Sequence, residues 1–276
     1  MGTETAEAQV QSFAMNLPLS IVDAFTATLF RGNPAAVCPL DAWLPEALMQ
    51  SIAAENNLAE TAFLVPEGKG WGLRWFTPQV EIDLCGHATL ASAFVLAKLL
   101  PAQTEFHFQT KSGELVVTRT GELFTLDFPA FELAKLEPEN LAAVAAALGA
   151  PVLSLTRFSR TWLAELADEQ AVQTLQPDFR AILALGCRGL VVSARGTQCD
   201  FVSRFFAPKM GIDEDSVTGS AHCGLVPFWA ARLGRNTLLA RQISTRGGEL
   251  RCELRGKRVL IGGYSVLYST GTIHLP

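Results

Sequence analysis

The sequence predicts an α+β protein of two pseudo-symmetric domains, each a curved β-sheet around a central helix. Two observations predict this class. A motif from the first half of the 276-residue chain returns in the second half, and each copy runs into an apolar stretch of helical length. The period of the repeat, close to half the chain, is too long for a solenoid unit, so it indicates a duplicated domain.

Each copy of the motif begins with a strand that ends at a proline. The letters RWFTP at residues 74–78 match RFFAP at residues 204–208, and Ile82-Asp83 matches Ile212-Asp213 at the same offset of 130. Aromatic residues favour a strand before each proline, and the proline ends it. The repeat therefore predicts equivalent strands and loops in the two halves.

A glycine and an apolar helix follow in both halves. The helices are predicted over residues 88–100 and 221–233, after Gly86 and Gly219. Because neither helix has a polar face, we expect a sheet to wrap around each one. The second copy has three additional residues before its glycine, and Asp215 lies among them. Since function often resides where a repeat departs from symmetry, Asp215 is a candidate functional residue; the alternative is an ordinary helix N-cap.

The remaining apolar and alternating stretches predict further strands. They cover residues 19–25, 35–39, 61–65, 105–109, 115–119 and 123–128 in the first half, and 154–158, 161–166, 189–194, 241–245, 250–254 and 258–262 in the second. Two more helices are predicted over residues 45–56 and 138–148. We expect residues 1–16 to be a disordered lead-in, 17–129 to be the first half-domain and 130–263 to be the second.

Composition and cysteine usage exclude several classes of partner and site. The chain has 22 Lys and Arg against 27 Asp and Glu, a net charge of -5, and no basic run. We therefore expect no binding to nucleic acid or to an anionic membrane. No uncharged stretch is both unbroken and long enough to cross a bilayer. Six scattered cysteines without a CxxC pair, and an N-terminal segment without secretory features, predict a reducing, cytoplasmic location.

The two predicted helix starts suggest a binding site for a small carboxylate. A helix N-terminus presents unpaired N–H groups and a partial positive charge, and glycine lets the backbone approach a ligand closely. If the two domains pack face to face, the starts at Gly86 and Gly219 converge on one cleft and form an anion clamp. The alternative is that both glycines serve tight turns only.

Two titratable residues are candidate acid–base groups. His87 lies in the first turn of its helix, where the positive helix end favours a neutral imidazole that can act as base or donor. Glu60 precedes the apolar run 62–65, so we expect it to be partly desolvated, as suits general acid–base work. The alternatives are a core or surface histidine and a solvated loop glutamate.

Other chemistries find less support in the sequence. Cys85 and Cys223 would suit a racemase if they faced each other, but the repeat pairs Cys85 with Thr218 and Cys223 with Leu90. The histidines and acidic residues show no metal-ligand spacing. Neither a GxGxxG nor a Walker A motif is present. We therefore expect no metal and no cofactor.

The motifs, taken in order, resemble the PhzF family of phenazine-biosynthesis-like isomerases. The resemblance runs from about residue 19 to the C-terminus. It rests on VDAF at 22–25, RGNP at 31–34, ETAF at 60–63, RWFTP at 74–78, CGHAT at 85–89 and EDSVTGSAHC at 214–223. It implies a diaminopimelate-epimerase-like fold with the site between the domains, a C-terminal strand (264–276) that returns to the first domain, and a homodimer that needs no cofactor.

The resemblance also implies roles for individual residues. Glu60 matches the catalytic acid/base that takes a proton from one carbon and returns it to another, and His87 and Asp215 match the polar residues that assist it. The matched substrate-binding positions are Asn33, Gly86, Gly219 and Ser220.

The function expected from these residues is proton transfer on a small carboxylate, a cyclic one included, by an isomerase. One departure from the family pattern is Ser216, which stands where the family usually has proline. Serine gives the loop more conformational freedom and removes no catalytic group. Two alternatives stay open: an amino-acid racemase or epimerase with two bases, and a non-catalytic scaffold or binding protein of the same fold.

Overall fold

The computed structural model describes residues 15–275 and confirms the predicted α+β class. Within these residues, eighteen strands form one continuous sheet that is accompanied by six helices. The strands of the first half are β1 Met15–Ala24, β2 Asn33–Pro39, β3 Glu60–Glu67, β4 Gly70–Phe76, β5 Glu81–Ile82, β6 Glu105–Thr110, β7 Gly113–Thr120 and β8 Leu123–Pro129, and β9 Ala134–Lys135 begins the second half.

The second half repeats this pattern of short strands. Its other strands are β10 Ser154–Phe158, β11 Thr161–Glu165, β12 Gly189–Arg195, β13 Phe201–Ala207, β14 Ile212–Asp215, β15 Thr237–Gln242, β16 Gly248–Arg255, β17 Arg258–Gly263 and β18 Ser265–Leu275. The helices of the chain are α1 Glu46–Asn56, α2 Gly86–Leu99, α3 Pro138–Leu148, α4 Glu169–Gln173, α5 Phe179–Ala184 and α6 Gly219–Leu233, with a 3₁₀ turn at Pro208–Met210.

The helices α2 and α6 lie at the centres of the two halves. Eleven of the fourteen residues of α2 and ten of the fifteen of α6 are buried, as their apolar sequences predict. Leu90, Leu96 and Leu225 are completely buried, and each such side chain contributes roughly 1.5–3 kcal/mol of hydrophobic stabilisation. Among residues 15–275, none of the helices combines the length and apolar character that a membrane crossing requires.

The two halves share one order of strand pairing. A parallel pair comes first, β2 with β3 and β11 with β12. An antiparallel partner, a short strand and a second parallel partner follow in both halves: β4, β5 and β6 in the first, and β13, β14 and β15 in the second. The duplication therefore extends from the motifs to the topology.

Two strand pairs join the halves into one sheet. Strand β17 pairs with β8 of the first half, and β18 returns from the end of the chain to pair with β1. One hydrophobic core accordingly contains residues from α2, α6 and strands of both halves. A division of the chain at residue 129 stays a prediction.

Several sequence-based boundaries need correction. Of the predicted lead-in 1–16, residues 1–14 lie outside the described residues. Met15 and Asn16 belong to β1, because they pair with Leu275 and His274 of the distant strand β18, which the local sequence does not reveal. The strand predicted at 241–245 lies earlier, at Thr237–Gln242. The helices α4 and α5 are too short to show a helical period, and the aspartates before them cap both.

Candidate active site

The first turns of α2 and α6 meet at the junction of the two halves. A Cβ atom built on Gly86 would lie 3.6 Å from Cα of Gly219. Both helices follow an N-cap residue with extended backbone, Cys85 or Thr218, whose side chain does not cap the helix. Within residues 15–275, no N-cap side chain binds the first N–H groups of either helix, so these adjacent groups are available to a ligand, as in an anion clamp.

Each half has an equivalent arginine–glutamate ion pair on the two strands that precede its central helix. The Arg74 guanidinium donates to both oxygens of Glu81, at 2.8 and 2.7 Å, and Arg204 donates to both oxygens of Glu214, at 2.8 and 2.9 Å. In the sheet, Glu81 lies opposite Phe76 and Glu214 lies opposite Phe206. Glu81 and Glu214 are thus structural equivalents.

This equivalence corrects the predicted position of the insertion. Residues 77–80 join Phe76 to Glu81, whereas residues 207–213, including the 3₁₀ turn, join Phe206 to Glu214. The three extra residues therefore lie in the turn after β13, and the prediction that Asp215 lies among them is wrong. The match of Ile82-Asp83 with Ile212-Asp213 is coincidental, because only the three-dimensional pairing fixes the alignment.

Asp215 takes the place of an apolar residue in the repeat. Its equivalent in the first half is Ile82, the residue after Glu81. Burial raises the pKa of Asp215, the charge of Glu60 adds to the rise, and hydrogen bonds from Thr218 and Asn33 oppose it. The Thr218 hydroxyl donates to Asp215 at 2.5 Å. The second half thus supplies a carboxyl group where the first half has a methyl-bearing side chain.

Glu60 and His87 face each other across the first half. Nε2 of His87 lies 2.9 Å from Oε2 of Glu60, with only 7% and 15% of the two side chains exposed. Glu60 is the first residue of β3, and His87 is the second residue of α2. The structure therefore brings the predicted pair together and contradicts the alternative of a solvated loop glutamate.

The charge state of His87 differs from the sequence-based expectation. Burial alone would lower the pKa of His87, but the neighbouring Cys85 and Glu60 outweigh it and raise that pKa well above its usual value. The prediction of a neutral imidazole is therefore wrong. The positive helix start favours a neutral imidazole, but tertiary structure brings the carboxylate of Glu60 beside His87 and favours the charged form. The raised pKa favours the protonated form of His87 beside Glu60.

Asn33 connects the two halves of the site. Its side-chain nitrogen lies 2.8 Å from Oδ1 of Asp215, 2.9 Å from the carbonyl of Val217 and 3.2 Å from Nδ1 of His87. The amide can donate to Nδ1 when that atom is unprotonated. When Nδ1 is protonated, it can donate to Cys85 Sγ, 3.5 Å away. Asn33 is buried and is the first residue of β2, so its position is fixed by the sheet.

Two further polar residues lie beside this network, and the sequence predicted only one of them as a site residue. Ser220, a predicted substrate-binding residue, lies half-buried in the first turn of α6 at the position equivalent to His87. Gln242 was missed. Its side chain donates to the Asp215 carbonyl at 2.8 Å and accepts from the Thr218 N–H at 2.8 Å. The sequence does contain a signal for its burial: Leu238, Ala240 and Gln242 alternate along β15, and all three face the core.

Three donor groups in the site lie at metal-ligand spacing. Ligand atoms of Glu60, Cys85 and His87 all lie within 4.8 Å of one another. The spacing along the sequence does not reveal this group, because residues far apart in sequence meet here. The expectation that no metal binds stays a prediction. Burial raises the pKa of Cys85 to about 11. A metal would therefore have to displace a proton from the thiol before it could bind there.

A protein-family model matches most of the chain. The family described as phenazine biosynthesis-like protein, PhzC-PhzF, matches residues 22–271. An uncharacterized isomerase of Pseudomonas aeruginosa is 51% identical over 95% of this chain and 100% of its own length. Phenazine biosynthesis-like domain-containing protein 1 of Mus musculus is 42% identical over 94% of this chain and 99% of its own.

Solved structures agree with these relatives. A PhzF family protein from Enterococcus faecalis superposes with a TM-score of 0.92 at 49% identity, over 95% of this chain and 100% of that one. A hydroxyproline epimerase from Agrobacterium vitis shares the fold alone, with a TM-score of 0.60 at 11% identity over 94% and 93% of the two chains. The chain is an enzyme of the isomerase class, and it belongs to the phenazine biosynthesis-like PhzC-PhzF family.

Proposed function

We propose that this isomerase moves a proton between two carbons of a small carboxylate without a cofactor, with Glu60 as the acid and base. The observation that carries the proposal is the 2.9 Å contact between Glu60 and His87, next to the adjoining helix starts at Gly86 and Gly219. A binding place for the carboxylate and a proton carrier thus lie side by side. A ring in the substrate is compatible with this arrangement.

The substrate carboxylate would bind to the free N–H groups of the two helix starts, and Ser220 in the first turn of α6 can add a hydroxyl donor. These donors stabilise the negative charge that develops when the neighbouring C–H bond is broken. Glu60 takes that proton while the bonding electron pair forms a new double bond and displaces the electrons of a double bond that the substrate carries next to this carbon. Glu60 then returns the proton to a different carbon, so that the product is an isomer of the substrate.

The other residues of the network hold Glu60 and its partner in place. The ion pair with Nε2 of His87, 2.9 Å from Oε2, orients the carboxylate of Glu60. Asp215 and the Val217 carbonyl hold Asn33, whose amide nitrogen lies beside Nδ1 of His87. His87 and Asp215 thus assist the proton carrier without carrying the proton between carbons.

A racemase or epimerase would need a second base on the opposite face of the substrate. The repeat places Gly189 at the position equivalent to Glu60, since both lie at the start of equivalent parallel strand pairs. Thr218 is the equivalent of Cys85 in the repeat, since both are the N-cap residues of their helices. Burial raises the pKa of Cys85 to about 11. Neither position in the second half offers a matching base, which favours the one-base reaction over the racemase. The isomerase names of the relatives favour an enzyme over a non-catalytic scaffold.

A screen of cyclic and amino-acid-like carboxylates in deuterated water tests the proposal. NMR should show an isomerised product with deuterium at the carbon that accepts the proton, because Glu60 exchanges with solvent. Incubation with EDTA should leave the rate unchanged. Loss of activity after metal removal, recovered by adding zinc, would overturn the cofactor-free mechanism and assign a metal to Glu60, Cys85 and His87.

We also propose that the chain is a cytoplasmic homodimer that binds neither nucleic acid nor membranes. The free state of all six cysteines agrees with a reducing compartment, and the family resemblance supports the dimer. Size-exclusion chromatography with light scattering should give twice the chain mass of 29.8 kDa. A single-chain mass at micromolar concentration would contradict the dimer.

A further inference from the structure

A strongly basic cavity lies in the second half, apart from the candidate active site. It has a volume of about 490 Å³. Four of its lining residues are cationic, and within residues 15–275 no acidic residue lines it. These cations are Arg157, Arg160, Arg188 and Lys209. A chain with a net charge of -5 thus concentrates four positive charges around one small space.

The arginines of this basic cavity are not neutralised by neighbours. Arg157, Arg160 and Arg188 are exposed, and their side chains form no hydrogen bond or ion pair with any part of the chain that the structure describes. Most other arginines of the chain have a carboxylate partner, for example Arg204 with Glu214 and Arg258 with Asp127. Like charges that are held together without a counter-ion repel each other, so an anion bound among them would be stabilising.

The walls of the basic cavity are joined to one another by hydrogen bonds. The N–H of Arg188 donates to the carbonyl of Arg160 at 2.8 Å, which ties the loop before β12 to the turn between β10 and β11. Nζ of Lys209, in the 3₁₀ turn, donates to the carbonyl of Gly186 at 3.0 Å. Three chain segments are thus held around the space, and the cavity is largely formed before a ligand binds.

The backbone of one wall has an uncommon conformation. Ser159 has a φ of 51°, in the left-handed region that favours glycine. It is the first of the two turn residues between Phe158 and Thr161, which pair directly in the hairpin of β10 and β11. This turn places Arg157 and Arg160 on either side of Ser159, at the rim of the cavity. Two-residue hairpin turns require a positive φ at this residue, so the conformation of Ser159 fixes the tight turn between the two arginines.

The position of the basic cavity relates it to the reaction centre by symmetry. Arg188 precedes Gly189, which is the equivalent of Glu60, and the cavity therefore occupies the strand edge that corresponds to the edge with Glu60. Neither Glu60 nor His87 nor Asp215 lines it. After the duplication, one edge carries the proton carrier and the equivalent edge carries a group of cations.

We propose that the basic cavity binds a small anion with two or more negative charges, of the phosphate or polycarboxylate kind. Guanidinium groups match such oxyanions in geometry and charge. Trp162 and Met210 provide an apolar wall for the organic part of a ligand. This site is distinct from the carboxylate clamp at the helix starts and does not depend on the proposed reaction.

Calorimetric titration of the full chain with pyrophosphate and with citrate tests this proposal, with acetate as a singly charged comparison. We expect at least one of the two multiply charged anions to bind, at low salt, more tightly than acetate. The double variant Arg157→Gln/Arg188→Gln should weaken this binding at least about tenfold. Binding should be unchanged in Glu60→Gln, which separates the basic cavity from the reaction centre.

A matched variant controls for the loss of charge. Arg180→Gln/Arg195→Gln removes two exposed arginines of the same half that lie outside the cavity, and binding should survive in it. Thermal melting provides a second readout, since the bound anion should raise the Tm of the wild type and not that of Arg157→Gln/Arg188→Gln. No binding by the wild type, an equal loss in both double variants, or a loss in Glu60→Gln would overturn the proposal.

Discussion

Oε2 of Glu60 lies 2.9 Å from Nε2 of His87, although the two residues come from different elements of the first half. Strand β3 begins with Glu60, and α2 carries His87 in its first turn. The pairing places the His87 imidazole, whose pKa is raised, beside a carboxyl group of which only 15% is exposed. This relationship has consequences for stability as well as for catalysis.

The stability of the protein should fall as pH rises above neutrality. Because the folded state raises the pKa of His87 above 6.5, its contribution is fully present below about pH 6.5 and is lost as pH rises through the folded pKa. Urea unfolding between pH 6 and 9 should show the decline, at up to about 1.4 kcal/mol per pH unit. The decline should be smaller in His87→Gln.

Asp215 and His107 also have a raised pKa, so they too make the stability of the folded state fall as pH rises. The pKa of Asp215 is raised mainly by burial, and that of exposed His107 by hydrogen bonds to Glu105 and Glu114. His107 is unaffected in His87→Gln, so its contribution cancels in the difference between the two proteins. The charge of His87 lowers the pKa of Asp215, so that difference reports His87 together with its effect on Asp215. Parallel pH profiles for wild type and His87→Gln would contradict a charged imidazole beside Glu60.

Replacement of Asn33 should destabilise the junction between the halves. Asn33→Ala leaves Oδ1 of Asp215 and the Val217 carbonyl without this donor, which costs about 1–3 kcal/mol for buried groups. Asn56→Ala is a matched control, because Asn56 makes one hydrogen bond, to the Thr61 hydroxyl. Urea unfolding should show the larger loss for Asn33→Ala. Equal losses would show that Asn33 does not link the halves energetically.

The anion clamp predicts that a single methyl group at a helix start affects binding more than folding. Gly86→Ala adds a Cβ at an ordinary contact distance, 3.6 Å from Gly219, so the Tm should stay near the wild-type value. The same Cβ projects between the helix starts and should weaken carboxylate binding in an NMR titration. Gly271→Ala, where a Cβ has no neighbour within 4 Å, should change neither quantity. Unchanged binding in Gly86→Ala would remove the clamp from the mechanism.

The one-base mechanism predicts that the Cys85 thiol is dispensable. Burial raises the pKa of Cys85 to about 11, so a thiolate is scarce near neutral pH. Cys85→Ser should therefore retain turnover within about tenfold in the NMR assay, far less than the loss of a catalytic base would cause. If Cys85→Ser is inactive and substrate protects Cys85 from alkylation, the racemase becomes the better account.

The repeat in the sequence predicted the parts of the fold that a local pattern can specify. Apolar residues on all sides of the stretches after Gly86 and Gly219 predicted two buried helices, and the structure has them as α2 and α6. The convergence of their starts followed from the duplication, since two copies that pack face to face bring equivalent positions together. The family resemblance, and not the local pattern, selected Glu60 as the partner of His87.

The remaining features depend on tertiary contacts that a local pattern does not contain. The position of the insertion in the second copy follows only from the three-dimensional match of Glu81 with Glu214, each paired with its arginine. The raised pKa of His87 follows from groups brought beside it by folding. Gln242 shows the same limit, because its buried amide acts on a segment 24 or more residues earlier in the chain.

Deuterium incorporation by Glu60→Gln tests the central claim most directly, with Glu55→Gln of α1 as the matched control because Glu55 is exposed. With a carboxylate that the wild type isomerises in deuterated water, Glu55→Gln should incorporate deuterium at the wild-type rate. Glu60→Gln should keep its circular dichroism spectrum and lose about 10²–10⁴ in rate. Incorporation by folded Glu60→Gln at the wild-type rate would contradict the assignment of Glu60 as the proton carrier.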